Sequence, residues 1–127
     1  MKPRESALRI KRFEADEKAR KVGSLEAMIR EFEQMATDLD RQIAFEEERT
    51  GIKDITHFAY STFAKAAAQR RDNLKTSIAD LRAKLDLAVQ ERDEAVDRLA
   101  KAESSDLRDT GDLGRRRGER DSGAVLR

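Results

Sequence analysis

Val22-Gly23-Ser24-Leu25-Glu26-Ala27-Met28-Ile29-Arg30-Glu31-Phe32-Glu33-Gln34-Met35-Ala36-Thr37-Asp38-Leu39-Asp40-Arg41-Gln42-Ile43 is the stretch on which the fold turns. Within it Val22, Leu25, Ile29, Phe32, Ala36, Leu39 and Ile43 recur at alternating steps of three and four residues. Such a repeat keeps the apolar side chains on one seam of an α-helix and requires a second helix to cover it, which is the pattern of a coiled coil. The next seam site is Glu46, which ends the apolar series. Upstream, Leu8 and Ala15 fit the seam, whereas Ile10 and Phe13 fall on a shifted stripe, so a stutter is expected there. Pro3 is the only proline and suits a helix start, which places the first helix at about 4–49.

Downstream, Arg49-Thr50-Gly51-Ile52-Lys53-Asp54 interrupts the pattern. Gly51 suits the left-handed residue that ends a helix. Asp54 or Thr56 can cap the next one. The seam resumes at Tyr60 and passes through Ala64, Ala67, Arg71, Leu74, Ile78, Leu81, Leu85, Ala88, Arg92, Ala95, Leu99 and Ala102. All but the two arginines are apolar, and the many alanines predict close approach of the helices. A turn at about 50–55 is too short for anything but antiparallel neighbours. The expected fold is therefore all-α: two long helices forming an antiparallel coiled-coil hairpin over 1–103, with the second helix at about 56–103. Around the seam, Glu14–Lys18, Asp16–Arg20, Glu26–Arg30 and Asp80–Lys84 stand at the i,i+4 spacing of helical ion pairs. Residues 104–127 hold four of the six glycines and no apolar period, so a disordered mixed-charge tail is expected.

Composition agrees. The 127 residues are 42% charged with a net charge of +1, which leaves too little apolar material for an ordinary globular core. The charge balance argues against a dedicated nucleic-acid binder. The absence of cysteine excludes a disulfide framework, a thiolate metal site and a cysteine nucleophile. His57 is the only histidine, so neither a histidine metal site nor a Ser/His/Asp triad can be assembled. No phosphate-binding glycine loop precedes a helix. No enzyme, metal or cofactor is expected. Arg115, Arg116, Arg117 and Arg120 form a small basic patch, diluted by Asp112, Glu119 and Asp121 and lacking an aromatic residue for base stacking.

Three of the six aromatic residues fall at Phe58, Tyr60 and Phe63, with Phe45 nearby. One partner helix cannot cover all of them. Phe45, Phe58, Tyr60, Phe63, Arg70 and Arg71 are therefore candidates for contact with a partner protein. Local packing of the rings over the turn is the competing explanation.

The segment His57-Phe58-Ala59-Tyr60-Ser61-Thr62-Phe63-Ala64-Lys65-Ala66-Ala67-Ala68-Gln69-Arg70-Arg71-Asp72-Asn73-Leu74 resembles the flagellar export FliJ family in its α-proteobacterial form. The opening Arg4-Glu5-Ser6-Ala7-Leu8-Arg9-Ile10-Lys11-Arg12-Phe13 and the run Ile29-Arg30-Glu31-Phe32-Glu33-Gln34-Met35-Ala36 carry the same likeness. The resemblance covers roughly 1–103. It implies a non-enzymatic component of the type III export apparatus that serves flagellum assembly and motility. Such a protein would bind the hexameric export ATPase as a central stalk, contact the membrane-embedded export gate and escort export chaperones. It would work in the cytoplasm, attached peripherally to the inner membrane at the flagellar base. The helix ends, with Leu8, Ile10, Phe13 and Leu99, would meet the ring, and a monomer is expected. Two alternatives rest on the residues alone: a structural coiled coil that dimerises into a four-helix bundle, and a nucleic-acid-associated protein using the arginine-rich tail.

Overall fold

The computed structural model describes residues 3–125, and their side chains over 3–108. It contains two helices, α1 (Pro3–Thr50) and α2 (Thr62–Val125), and no strand among the described residues. The chain divides into two compact units, Lys21–Ala88 and Met1–Arg20 with Val89–Arg127. Each is a pair of antiparallel helical segments.

In the first unit Glu33 pairs with Arg82 and Asp40 with Arg71, so the α2 number falls as the α1 number rises. The seam is dry. Val22, Leu25, Ile29, Ala36, Leu39 and Ile43 of α1 are buried, as are Ala64, Ala67, Ile78, Leu81 and Ala88 of α2. Phe32, Leu74 and Leu85 are half-buried at their seam places. Near the turn, Leu39, Ile43, Ala64 and Ala67 form one cluster, with Tyr60, Ala68 and Leu74 packed against it. Ala64 is 0% exposed. At about 25 cal/mol per Å² of buried apolar surface, this strip of small side chains supplies modest stability.

In the second unit Arg4 faces Asp106, Arg12 faces Glu103 and Lys18 faces Glu91, again in opposite chain order. Ala15 and Ala95 are its buried apolar side chains, with Leu8, Leu99 and Ala102 half-buried. No stutter occurs here. Leu8, Lys11, Ala15 and Lys18 keep the steps of three and four, while Ile10 and Phe13 are exposed. The two lysines are tolerated because their methylene stems lie along the partner helix while the ammonium reaches water or a carboxylate. Lys18 accordingly bonds Glu91 across the pair at 3.0 Å instead of the expected Glu14. Arg20 bonds Glu17 at 2.6 Å instead of Asp16.

The connection differs most from expectation. α2 starts at Thr62, not near 56, because residues 51–61 hold a turn of their own. Gly51 has φ +73° and donates its N–H to the Glu47 carbonyl at 2.9 Å, which closes α1 in the left-handed manner expected. The Asp54 carboxylate accepts from the Thr56 N–H at 3.0 Å and from its hydroxyl at 2.7 Å, so Asp54 organises the loop and does not cap α2. Ser61 is the cap: its hydroxyl accepts the Ala64 N–H at 3.2 Å. At the far end, α2 runs to Val125, past the expected boundary at 103. The rest of the expected disordered tail, 109–127, lies outside the residues whose side chains are described.

Candidate interaction surfaces

A heptad labelled a to g makes the geometry explicit, with Val22, Ile29, Ala36 and Ile43 at a and Leu25, Phe32, Leu39 and Glu46 at d. In an antiparallel pair, e residues of one helix flank e residues of the other, and g residues flank g residues. The Lys21–Ala88 unit therefore has two edges, and they differ in chemistry.

The e edge is ionic. Arg82 Nη2 bonds Glu33 Oε1 at 2.6 Å, and Arg71 Nη1 bonds Asp40 Oδ1 at 3.0 Å. Arg71 also bonds Asp72 at 3.2 Å. These carboxylates, Asp40 first, hold the guanidinium proton more tightly than usual. Closer to the turn, the Tyr60 hydroxyl donates to Glu47 at 3.1 Å. Desolvation, followed by the Glu47 carboxylate, raises the Tyr60 pKa, so the phenol stays neutral. The Ser61 hydroxyl donates to Glu46 Oε1 at 2.9 Å, and Arg49 grips the same carboxylate at 2.6 and 3.1 Å. The Arg49 bond first and the Ser61 bond second lower the Glu46 pKa.

The g edge mixes exposed apolar side chains with unpaired polar ones. Met28, Met35 and Gln42 occupy successive g sites of α1 and are exposed, and Phe63 occupies a g site of α2. Phe45 lies one turn from Gln42, and Arg41, Gln42, Phe45, Glu46 and Phe63 line one shallow hollow. Phe45 is 69% exposed and Phe63 57%. Between Met28 and Phe45 no ion pair crosses this edge among the described residues.

The candidate contact residues thus separate. Phe45 and Phe63 share a surface. Phe58 is 96% exposed and stacks on the His57 ring at 4.7 Å, whose Nδ1 accepts the Ala59 N–H. Tyr60 packs inward on the Leu39–Ile43 cluster. Arg70 is exposed, whereas Arg71 is turned onto Asp40. Met28, Met35 and Leu87 were missed as surface apolar residues. Their signal is legible: each stands one residue before a seam site. In the Met1–Arg20 and Val89–Arg127 unit, Leu8 and Leu99 are half-buried seam residues and Ile10 and Phe13 are exposed at different heptad sites. The Arg115–Arg117 and Arg120 patch lies outside the described side chains.

Among the described residues no cluster of histidine or carboxylate side chains is arranged to hold a metal ion. No helix among them is long and apolar enough to cross a membrane. No protein-family model, curated protein or solved structure matches the chain.

Proposed function

We propose that this chain is a non-enzymatic stalk component of a flagellar type III export apparatus. Its chain-terminal unit would insert into the export ATPase hexamer, and its turn-bearing unit would stay available to the membrane-embedded export gate and to export chaperones. One observation supports this reading beyond the resemblance. The first residues of α1 pair with the later part of α2 through exposed ion pairs, Arg4–Asp106 at 3.4 Å and Arg12–Glu103 at 3.3 Å. Exposed pairs of this kind contribute only about 0–1 kcal/mol each. A paired helical end whose surface charges can be re-paired at low cost suits a ring that must grip and release as it hydrolyses ATP. In this reading the protein acts in the cytoplasm at the flagellar base and holds no cofactor of its own.

The test uses the full chain and the export ATPase encoded in the same genome. Co-purification, together with faster ATP hydrolysis or a shift of the ATPase towards its hexamer, is the expected result. An ATPase whose assembly and hydrolysis rate ignore the added chain refutes the assignment.

A further inference from the structure

Residues 54–60 fold as one turn repeated. In Asp54-Ile55-Thr56-His57 the Asp54 side chain accepts the Thr56 N–H at 3.0 Å, and the Asp54 carbonyl accepts the His57 N–H at 3.1 Å. In His57-Phe58-Ala59-Tyr60 the His57 ring nitrogen Nδ1 accepts the Ala59 N–H at 3.0 Å, and the His57 carbonyl accepts the Tyr60 N–H at 3.0 Å. Each turn is therefore closed twice, by the side chain and by the carbonyl of its first residue. Each also carries an exposed apolar residue in its second place, Ile55 in one and Phe58 in the other.

The two turns differ in their side-chain acceptor. The Thr56 hydroxyl, followed by the Thr56 N–H, lowers the Asp54 pKa, so this carboxylate accepts throughout the neutral range. His57 offers an imidazole nitrogen instead. Nδ1 accepts only while it carries no proton, so the second turn requires the neutral ring with its proton on Nε2. Imidazole is the side chain that changes charge between about pH 5 and 8. Once Nδ1 takes a proton from water, two N–H groups face each other across the former bond, and the ring must turn away. The Asp54 carboxylate lies close enough for the imidazolium charge to favour its ionised form, so it is the group that draws the turned ring. The other charged groups at this end of the unit are Lys53 in the loop, Glu46, Glu47, Glu48 and Arg49 in the last turn of α1, and Lys65 in the first turn of α2. Glu46 is held by Arg49 and Ser61, and Glu47 by Tyr60; among the described residues none of these groups bonds the imidazole. Phe58 depends on the same ring, since its phenyl group stacks on the imidazole at 4.7 Å with 22° between the planes.

We propose that His57 is a pH-operated latch on the second turn. Neutral, it closes the turn on the Ala59 N–H and fixes the Phe58 ring. Protonated, it releases that N–H, swings to Asp54 and frees the Phe58 ring. The latch thus sets how rigidly the loop presents its most exposed aromatic side chain. This inference goes beyond the export reading and does not depend on it.

The test is a nuclear magnetic resonance titration of the full-length, isotope-labelled chain from about pH 8 to about pH 5, read at the His57 ring, the Ala59 amide and the Phe58 ring. The three should move with one midpoint, and the Ala59 amide proton should shift upfield as it loses its acceptor. His57→Asn sets a carboxamide oxygen in the place of Nδ1, so the turn should stay closed and the Ala59 amide should not titrate. Asp54→Asn keeps an oxygen for Thr56 but removes the charge that draws the imidazolium, so the midpoint should fall to lower pH. Both positions are exposed and lie outside the helices, so helicity by circular dichroism should not change. An Ala59 amide that ignores the His57 midpoint overturns the proposal. So does an Ala59 transition that survives in His57→Asn, or a midpoint that does not fall in Asp54→Asn.

Discussion

The Ser61 hydroxyl joins the two helices at the turn: it donates to Glu46 Oε1 at 2.9 Å and accepts the Ala64 N–H at 3.2 Å. One side chain thus caps α2 and ties the last seam site of α1 to it. Ser61→Ala removes both bonds and should cost about 1–2 kcal/mol. Ser61→Asp keeps the cap but sets a carboxylate against Glu46, so it should recover little. Thermal denaturation of the three proteins tests the pair.

Glu46 titrates below its ordinary value of 4.5 because Arg49, then Ser61, bond its ionised form. A group whose folded pKa is depressed stabilises the fold above its unfolded pKa, and that stabilisation fades as pH falls through the folded value. The wild type should therefore be more stable than Glu46→Gln at neutral pH. The gap should close as the pH drops below 4.5. Melting curves of both proteins across that range measure it, and a constant gap contradicts the assignment.

Arg71 occupies an a site of the seam and is half-buried beside Asp40 and Asp72. An apolar residue there would pack on the seam without desolvating a charge. Arg71→Leu should leave stability unchanged or raise it by about 1 kcal/mol. Asp40→Ala should cost under about 1 kcal/mol, since Asp72 still pairs with the guanidinium. Chemical denaturation decides both, and a large loss in Arg71→Leu would show that the ion pair sets the helix register.

Gly23 and Gly51 should answer alanine in opposite ways. A Cβ at Gly23 meets nothing within 4 Å and its backbone is helical, so Gly23→Ala should stabilise by about 0.5–1 kcal/mol. Gly51 sits at φ +73°, where a side chain strains the backbone. Gly51→Ala should destabilise by about 1 kcal/mol or more.

Ala64 is wholly enclosed between Leu39 and Ile43 of α1 and its neighbours in α2. Ala64→Leu should push the helices apart at the turn and cost about 1–3 kcal/mol. At the other end of the Lys21–Ala88 unit, Ala88→Leu should cost less, because the helix pair can spread there without breaking the cap.

The seam itself was legible in the chain, because burial along a helix pair follows the residue count. Val22 to Ile43 and Ala64 to Ala102 repeat at three and four, and only one face of each helix can satisfy that repeat. Gly51 was legible for a similar local reason, its freedom to take a positive φ. Three things required the tertiary structure. The Asp54-Ile55-Thr56 segment has the composition of a helix cap, yet Ser61 takes the cap because Glu46, fifteen residues earlier, reaches it. Lys11 and Lys18 hold seam sites despite their charge, because Glu91 lies across from Lys18 and long aliphatic stems can line an apolar groove. The two edges of the Lys21–Ala88 unit became distinct only once the helices were paired. A single helix presents e and g residues alike; pairing joins Glu33 to Arg82 on one side and leaves Phe45 and Phe63 open on the other.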